Sequence, residues 1–270
     1  MSELVDDTYR RIADLMYSAI GISFGDAKKP LVSSRLAPRI QRLGMDSFED
    51  YLDLIGGGND GGEFQMAVDL LTTNETYFFR EPAHYDLLER ELVATRPPSL
   101  RVWSAASSFG DEAYSLAMLL ADLQSTGRIG AGWSILGTDI SDRVLQSAVT
   151  AIYPQDRLRH VSQPRLKRYC LRGEGESEGL VQIQPRLREH VRFGQLNLCR
   201  PLGDIGQFDV IFLRNVLIYF DPPTKRDVVD RVLSALRPGG LFFIGIAEGR
   251  VPCNTPLTSL APGAFRKVSG

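Results

Sequence analysis

The sequence predicts an α/β protein: a small all-helical N-terminal domain, then a doubly wound, mostly parallel sheet into which a small antiparallel β subdomain is inserted. Three observations predict it. Over roughly the first 95 residues the apolar side chains recur at helical spacing. From Leu100 onward, short apolar runs alternate with helical patterns, as in a parallel sheet covered by helices on both faces. Residues 154–190 interrupt that alternation with a stretch rich in Arg, Gly and Glu.

The elements follow in order. Leu4, Val5, Ile12, Leu15, Met16 and Ile20 give a first helix with one buried face. After a break at Gly21, Gly25 and Pro30, a second helix carries Leu36, Ile40 and Leu43 on one side and Arg35, Arg39 and Arg42 on another, with Gly44 as C-cap. From Lys28 to Met45 there are five basic residues and no acidic one. Such a run is either a solvated face or a docking surface for an acidic partner. Ser47 caps a short helix, a glycine loop spans residues 56–62, and EFQMAVDLLT resumes helical spacing. Thr73 or Asn74 is expected to cap the next helix, and Pro82 fits a first helical turn. Arg96, Pro97 and Pro98 end it. The expected division is a helical domain over residues 1–80, a linker helix over 81–98, and a sheet domain over 99–270.

In the sheet domain the strand candidates are LRVWSA, WSILGTDI, HVRFGQL, FDVIFLRNV and LFFIGIA, with helices such as DRVLQSAVTAIY and KRDVVDRVLSAL between them. Within the insertion, CLRG and LVQI form a hairpin. Composition narrows the function. The chain has 270 residues, 43% of them apolar, and a net charge of −2, which gives no overall case for nucleic acid. Its acidic N-terminus does not read as a signal peptide and no run approaches a membrane span, so cytoplasm is the default. Cys170, Cys199 and Cys253 are widely spaced, with neither disulfide nor zinc pattern.

RVWSAASSFGDEAYS at residues 101–115 reads as strand, tight loop and helix, the arrangement of a cofactor pocket in an open α/β sheet. It has one glycine where a dinucleotide loop wants three. Asp111 and Glu112 in the first helical turn would repel a pyrophosphate and suit a ligand with positive charge. Asp139, at the end of the second strand, is placed either to accept from both ribose hydroxyls or to cap the following helix.

Asp139, the apolar strand ending at Arg214 and Asn215, and the RPGG before the last strand together resemble the core of a class I S-adenosylmethionine (SAM) methyltransferase. More specifically, NETYFFRE at residues 74–81, WSAASSFGDEAYSLAM at 103–118 and FDVIFLRNVLIYFD at 208–221 are similar, in order and spacing, to the chemotaxis-receptor glutamate methyltransferases, the CheR family. The resemblance implies that Asn74, Thr76 and Arg80 contact SAM from the domain junction and that Asp111 holds its methionine part. It places Asp139 on the ribose, Asn197 and Leu198 beside the adenine, and Arg214 and Asn215 on the opposite side. Arg80 and Tyr219 match the family's substrate-orienting pair; on residue type alone they read as a surface salt bridge to Glu81 or Glu89 and a core aromatic. The implied acceptor is a glutamate of a chemoreceptor cytoplasmic helix, reached through Arg35, Arg39 and Arg42. The implied product is S-adenosylhomocysteine, with no metal, no nucleic acid and no membrane insertion. The insertion at 154–195 resembles the part that in some members grips a receptor C-terminal peptide.

Departures from the family pattern are Phe109, expected to put a bulky ring beside the methionine part, Ala113 for a proline, and Ile246-Ala247 for His-Ser. Two rival readings are a non-catalytic SAM-binding sensor and a nucleic-acid methyltransferase, the latter suggested by Asp221-Pro222-Pro223.

Overall fold

The computed structural model describes residues 3–58, 61–249 and 253–268, so Asn59 and Asp60 of the glycine loop lie outside the described residues. The N-terminal helices are α1 (Asp6–Ile20), α2 (Lys29–Arg42), α3 (Phe48–Gly56) and α4 (Glu63–Leu71). Their apolar faces close on one another through Ile12, Met16, Leu36, Ile40, Tyr51 and Leu71. Ser47 caps α3 as expected, its hydroxyl accepting from the Asp50 N–H at 3.1 Å. Gly21 ends α1 in the left-handed region (φ 74°), and a Cβ there would lie 2.3 Å from Cys199 Sγ. That glycine therefore lets the helical domain seat against the sheet domain.

Residues 72–81 are not helical. The expectation that Thr73 or Asn74 caps a helix does not hold, because Arg35 bonds the Leu71 and Thr72 carbonyls at 2.9 and 3.1 Å and Thr72 turns extended. The next helix, α5 (Pro82–Thr95), begins with Pro82 in its first turn, after Glu81 at φ 58°. It is no linker. Tyr85, Leu88 and Leu92 share one core with Leu100, Val102 and Phe212 of the sheet domain.

The sheet domain continues as β1 (Ser99–Ser104), α6 (Asp111–Ser125), β2 (Gly132–Asp139), α7 (Asp142–Thr150), β3 (Ile152–Pro154), α8 (Gln163–Tyr169), β4 (Cys170–Arg172), β5 (Leu180–Ile183), α9 (Pro185–Arg188) and β6 (Val191–Gln195). It closes with β7 (Phe208–Leu213), α10 (Pro222–Ser234), β8 (Leu236–Ile244), β9 (Leu257–Ala261) and β10 (Ala264–Lys267). The main sheet runs β6-β2-β1-β7-β8-β10-β9, parallel except where β10 pairs antiparallel with β8 and β9. The five expected strands are its parallel part. The final hairpin was not expected, because LTSLAPGAFRK lacks a clear alternating pattern around its Pro262-Gly263 turn.

The insertion is a separate antiparallel sheet, β3-β5-β4, with Leu171 opposite Gln182 as the hairpin signal implied. It starts at Ile152. The strand order reverses at β1, with β2 on one side and β7 on the other, which opens a crevice at the carboxyl ends of these strands.

Candidate active site

At that crevice a cleft lies between the sheet and the helical domain. Ile20 and Ile22 form its helical wall, and the 72–81 connector contributes Asn74, Glu75, Thr76, Tyr77 and Arg80. The floor is Ala105, Ala106, Ser108, Glu112, Asp139 and Ile140; the remaining walls include Leu196, Asn197, Leu198, Arg214, Asn215 and Tyr219. Of the residues expected to bind the cofactor or orient the substrate, Asp111 alone is missing from this lining; the expected docking residues Arg35, Arg39 and Arg42 also lie outside it.

Asp139 is buried, and its carboxylate accepts from the Ser108 N–H at 2.9 Å and the Ser141 N–H at 3.0 Å. Ser141, not Asp139, occupies the N-cap of α7, so the capping reading fails. Burial raises the pKa of Asp139. The two N–H donors fix its orientation on the cleft floor.

The first turn of α6 divides its two acids. Asp111 is fully buried but faces the insertion, where Arg157 grips it through Nε at 2.7 Å and Nη2 at 3.0 Å. Glu112, about 100° further round the helix, lines the cleft and accepts from Ser104 Oγ at 2.7 Å and Arg214 Nη1 at 3.0 Å. The expectation that Asp111 holds the methionine part is thus corrected: helix rotation gives the cleft Glu112. Burial raises the pKa of Glu112, with Arg214 opposing. The acidic pair was visible in the sequence, but the choice between its members was not.

Phe109 is also corrected. Its ring lies under the Arg157 guanidinium (4.5 Å) and near that of Arg143 (5.7 Å), outside the cleft lining, while its carbonyl accepts from Tyr153 Oη at 2.7 Å. The bulky ring serves as a platform for the insertion and leaves the cleft open.

Arg214 is the hub on the opposite wall. Besides Glu112 it meets Glu81 Oε2 at 3.0 Å and donates to the Arg80 carbonyl at 2.6 Å. Burial opposes its charge, but the two carboxylates outweigh burial and raise its pKa. Glu81 is likewise held below its ordinary range, burial being overcome by Arg214. Asn215 sits at φ 59°, with its N–H donating to Glu248 Oε2 at 3.0 Å. Glu248 also accepts from the N–H groups of Leu217 (2.7 Å) and Gly245 (2.6 Å), buckling the ends of β7 and β8 together.

At the cleft mouth, Arg80 donates to the Glu75 carbonyl at 3.0 Å and lies 5.7 Å from the Tyr77 ring centre. Among the described residues no ion pair to Glu81 or Glu89 forms. Tyr219 lines the same cleft, so it is not a core aromatic; burial raises its pKa, and its hydroxyl is a donor at neutral pH. Asn197 spends its amide on the Ala19 carbonyl at 2.7 Å and the Cys199 N–H at 2.9 Å, so it joins the domains and offers backbone to the cleft. Asp221 caps α10 by accepting from the Thr224 N–H at 3.0 Å, which accounts for Asp221-Pro222-Pro223 without a base pocket.

The basic stripe on α2 is largely committed within the chain. Arg35 also bonds Thr73 Oγ1 at 3.1 Å, and Arg39 forms a two-pronged pair with the buried Glu63 at 2.8 and 2.6 Å. Arg42 is exposed. Among the described residues no group of three or more His, Cys, Asp or Glu could hold a metal ion, and no helix is long and apolar enough to cross a membrane.

Comparison with known proteins agrees with this geometry. Residues 7–72 match the family model described as CheR methyltransferase, all-alpha domain, and residues 74–260 match CheR methyltransferase, SAM binding domain. The chain is 41% identical over 246 residues to the chemotaxis protein methyltransferase of Escherichia coli (strain K12), covering 91% of this chain and 85% of that one. It is 40% identical over 246 residues to its counterpart in Salmonella typhimurium, with 91% and 84% covered. It is also 40% identical over 250 residues to chemotaxis protein methyltransferase 2 of Pseudomonas aeruginosa, with 91% and 87% covered.

Proposed function

The chain belongs to the CheR methyltransferase family, and from that premise we propose that it methylates glutamate side chains on the cytoplasmic helices of chemoreceptors, using SAM and leaving S-adenosylhomocysteine. SAM, when bound, supplies a methyl group on a positively charged sulfur. The cleft fits it on two counts: its apolar Ile140, Leu196 and Leu198, and the carboxylates of Glu112 and Asp139, which suit a cation better than a pyrophosphate. Asp139 would take the ribose, Leu198 and the Asn197 backbone the adenine, and Asn74 and Thr76 the connector side. Arg214 acts through Glu112, because its own charge is spent on Glu112 and Glu81.

The observation that carries the acceptor assignment is that Arg80 and Tyr219 share the cleft mouth with the Arg80 charge unpaired among the described residues. Arg80 grips one carboxylate face and the Tyr219 hydroxyl donates to an oxygen. A glutamate with a pKa of about 4.3 is already ionised at neutral pH, so no general base is required. The residues supply orientation and exclusion of water. In this reading the enzyme acts in the cytoplasm, and the edges of the β3-β5-β4 sheet offer strand pairing to a receptor C-terminal peptide.

The decisive experiment incubates the protein with methyl-labelled SAM and a chemoreceptor cytoplasmic fragment, then adds alkali. Volatile labelled methanol reports a carboxyl methyl ester. Label that stays on the receptor fragment after alkali would exclude glutamate as acceptor, and no label at all would favour the sensor reading.

A further inference from the structure

The Arg214 side chain is 1% exposed and lies between two carboxylates, Glu112 Oε2 and Glu81 Oε2, each at 3.0 Å. One carboxylate would balance a buried guanidinium. A second leaves a surplus of negative charge, which costs free energy unless a cation comes to meet it. The two acids are not equivalent: Glu112 lines the cleft, whereas Glu81 lies outside the lining. Glu81 is nevertheless held firmly in place. Its carboxylate also accepts from the Ile246 N–H at 3.2 Å and from Asn215 Nδ2 at 3.4 Å, and its backbone sits at φ 58°, a left-handed conformation that few non-glycine residues adopt. Strain at a residue that forms no part of the cleft wall points to a role for the carboxylate it carries.

The neighbouring groups do not cancel that charge. His84, with Nδ1 3.4 Å from Glu81 Oε2, is neutral at neutral pH, because burial lowers its pKa; its Nε2–H is given to the Pro262 carbonyl at 3.0 Å. Arg80 donates to the Glu75 carbonyl at the mouth, and Glu248 accepts from three backbone N–H groups. Both keep their charges whether or not Glu81 carries one, so a neutral residue at position 81 changes the local charge by one unit.

We propose that Glu81 is a specificity-determining residue for the cofactor: by balancing Arg214 it leaves the charge of Glu112 available to the sulfonium, and so raises the preference of the cleft for SAM over S-adenosylhomocysteine. The two ligands differ by a methyl group and by one positive charge on sulfur. Without Glu81, Arg214 neutralises Glu112 and the preference weakens. With it, the extra attraction ends when the methyl group leaves, which favours exchange of product for fresh SAM. This role rests on the use of SAM as cofactor and not on the identity of the acceptor.

The test measures, by calorimetry and without acceptor, the affinities of the wild-type chain, Glu81→Gln, Glu81→Met and Glu81→Asp for SAM and for S-adenosylhomocysteine, with Tm alongside. Both neutral variants are expected to lower the ratio of SAM to S-adenosylhomocysteine affinity about tenfold, the scale of one unit charge acting across a pocket at the effective dielectric of a protein. Either neutral variant alone decides, so loss of folding in one leaves the test intact. Glu81→Asp keeps the charge and is expected to keep the ratio, even where its shorter reach lowers Tm. A purely structural role would weaken both ligands together. An unchanged ratio in the neutral variants, or an equal fall in Glu81→Asp, overturns the assignment. A wild-type chain that binds neither ligand removes this role together with the cofactor, whereas methanol release scores the glutamate reading separately.

Discussion

The guanidinium of Arg157, on the inserted subdomain, closes a two-pronged ion pair on the fully buried carboxylate of Asp111, at 2.7 and 3.0 Å. The same guanidinium covers the Phe109 ring, so the insertion holds the loop and first helical turn that form the cleft floor. Removing one partner leaves a buried charge uncompensated. Arg157→Met is expected to cost about 3 kcal/mol of stability, the low end for a broken buried pair because Arg157 is partly exposed. Adding Asp111→Asn should recover part of that loss. Chemical denaturation of the two variants checks both expectations.

Arg80→Ala is expected to lower methyl transfer by about 100-fold or more, the scale of losing acceptor alignment, while calorimetry shows only a partial loss of S-adenosylhomocysteine affinity. Methanol release at the wild-type rate would remove Arg80 from the mechanism. Tyr219→Phe should reduce turnover with the fold unchanged.

Cofactor affinity should fall in mild acid. Burial raises the pKa values of Glu112 and Asp139, so both take up protons at higher pH than ordinary carboxylates. Their negative charge is complete above the raised pKa values and is lost as pH drops through them. Binding of SAM should weaken over that window. Their contribution to stability has the opposite sign: the folded state binds these protons more tightly, so the contribution is complete at low pH and is lost as pH rises through the raised pKa values. Calorimetric titrations across the acid range check the binding arm, and Glu112→Gln should flatten it.

On α2 the arginines should separate. Arg42→Ala is expected to leave Tm unchanged and to weaken capture of an acidic receptor fragment in a salt-sensitive way. Arg39→Ala should lower Tm, because Glu63, 6% exposed, loses its cation. Equal effects of the two on Tm would contradict the ion-pair assignment.

The sequence by itself determined the N-terminal helices, the five parallel strands and the hairpin of the insertion, because hydrophobic period and turn residues act locally. It also pointed to positions that border the cleft: Asp139 through the strand end it occupies, Arg214 and Asn215 through the family resemblance of their motif. The tertiary structure alone decided which charges are free. Arg39 finds Glu63, Asp111 finds Arg157, and Arg214 finds Glu81 and Glu112 across distances in the chain that no local pattern spans. It also decided that Glu112 rather than Asp111 lines the cleft, that Phe109 turns to the insertion, and that 257–267 closes the sheet as a hairpin. The reason is the same each time. Where a long charged or aromatic side chain ends is set by partners brought in from elsewhere, and those partners exist only once the chain has folded.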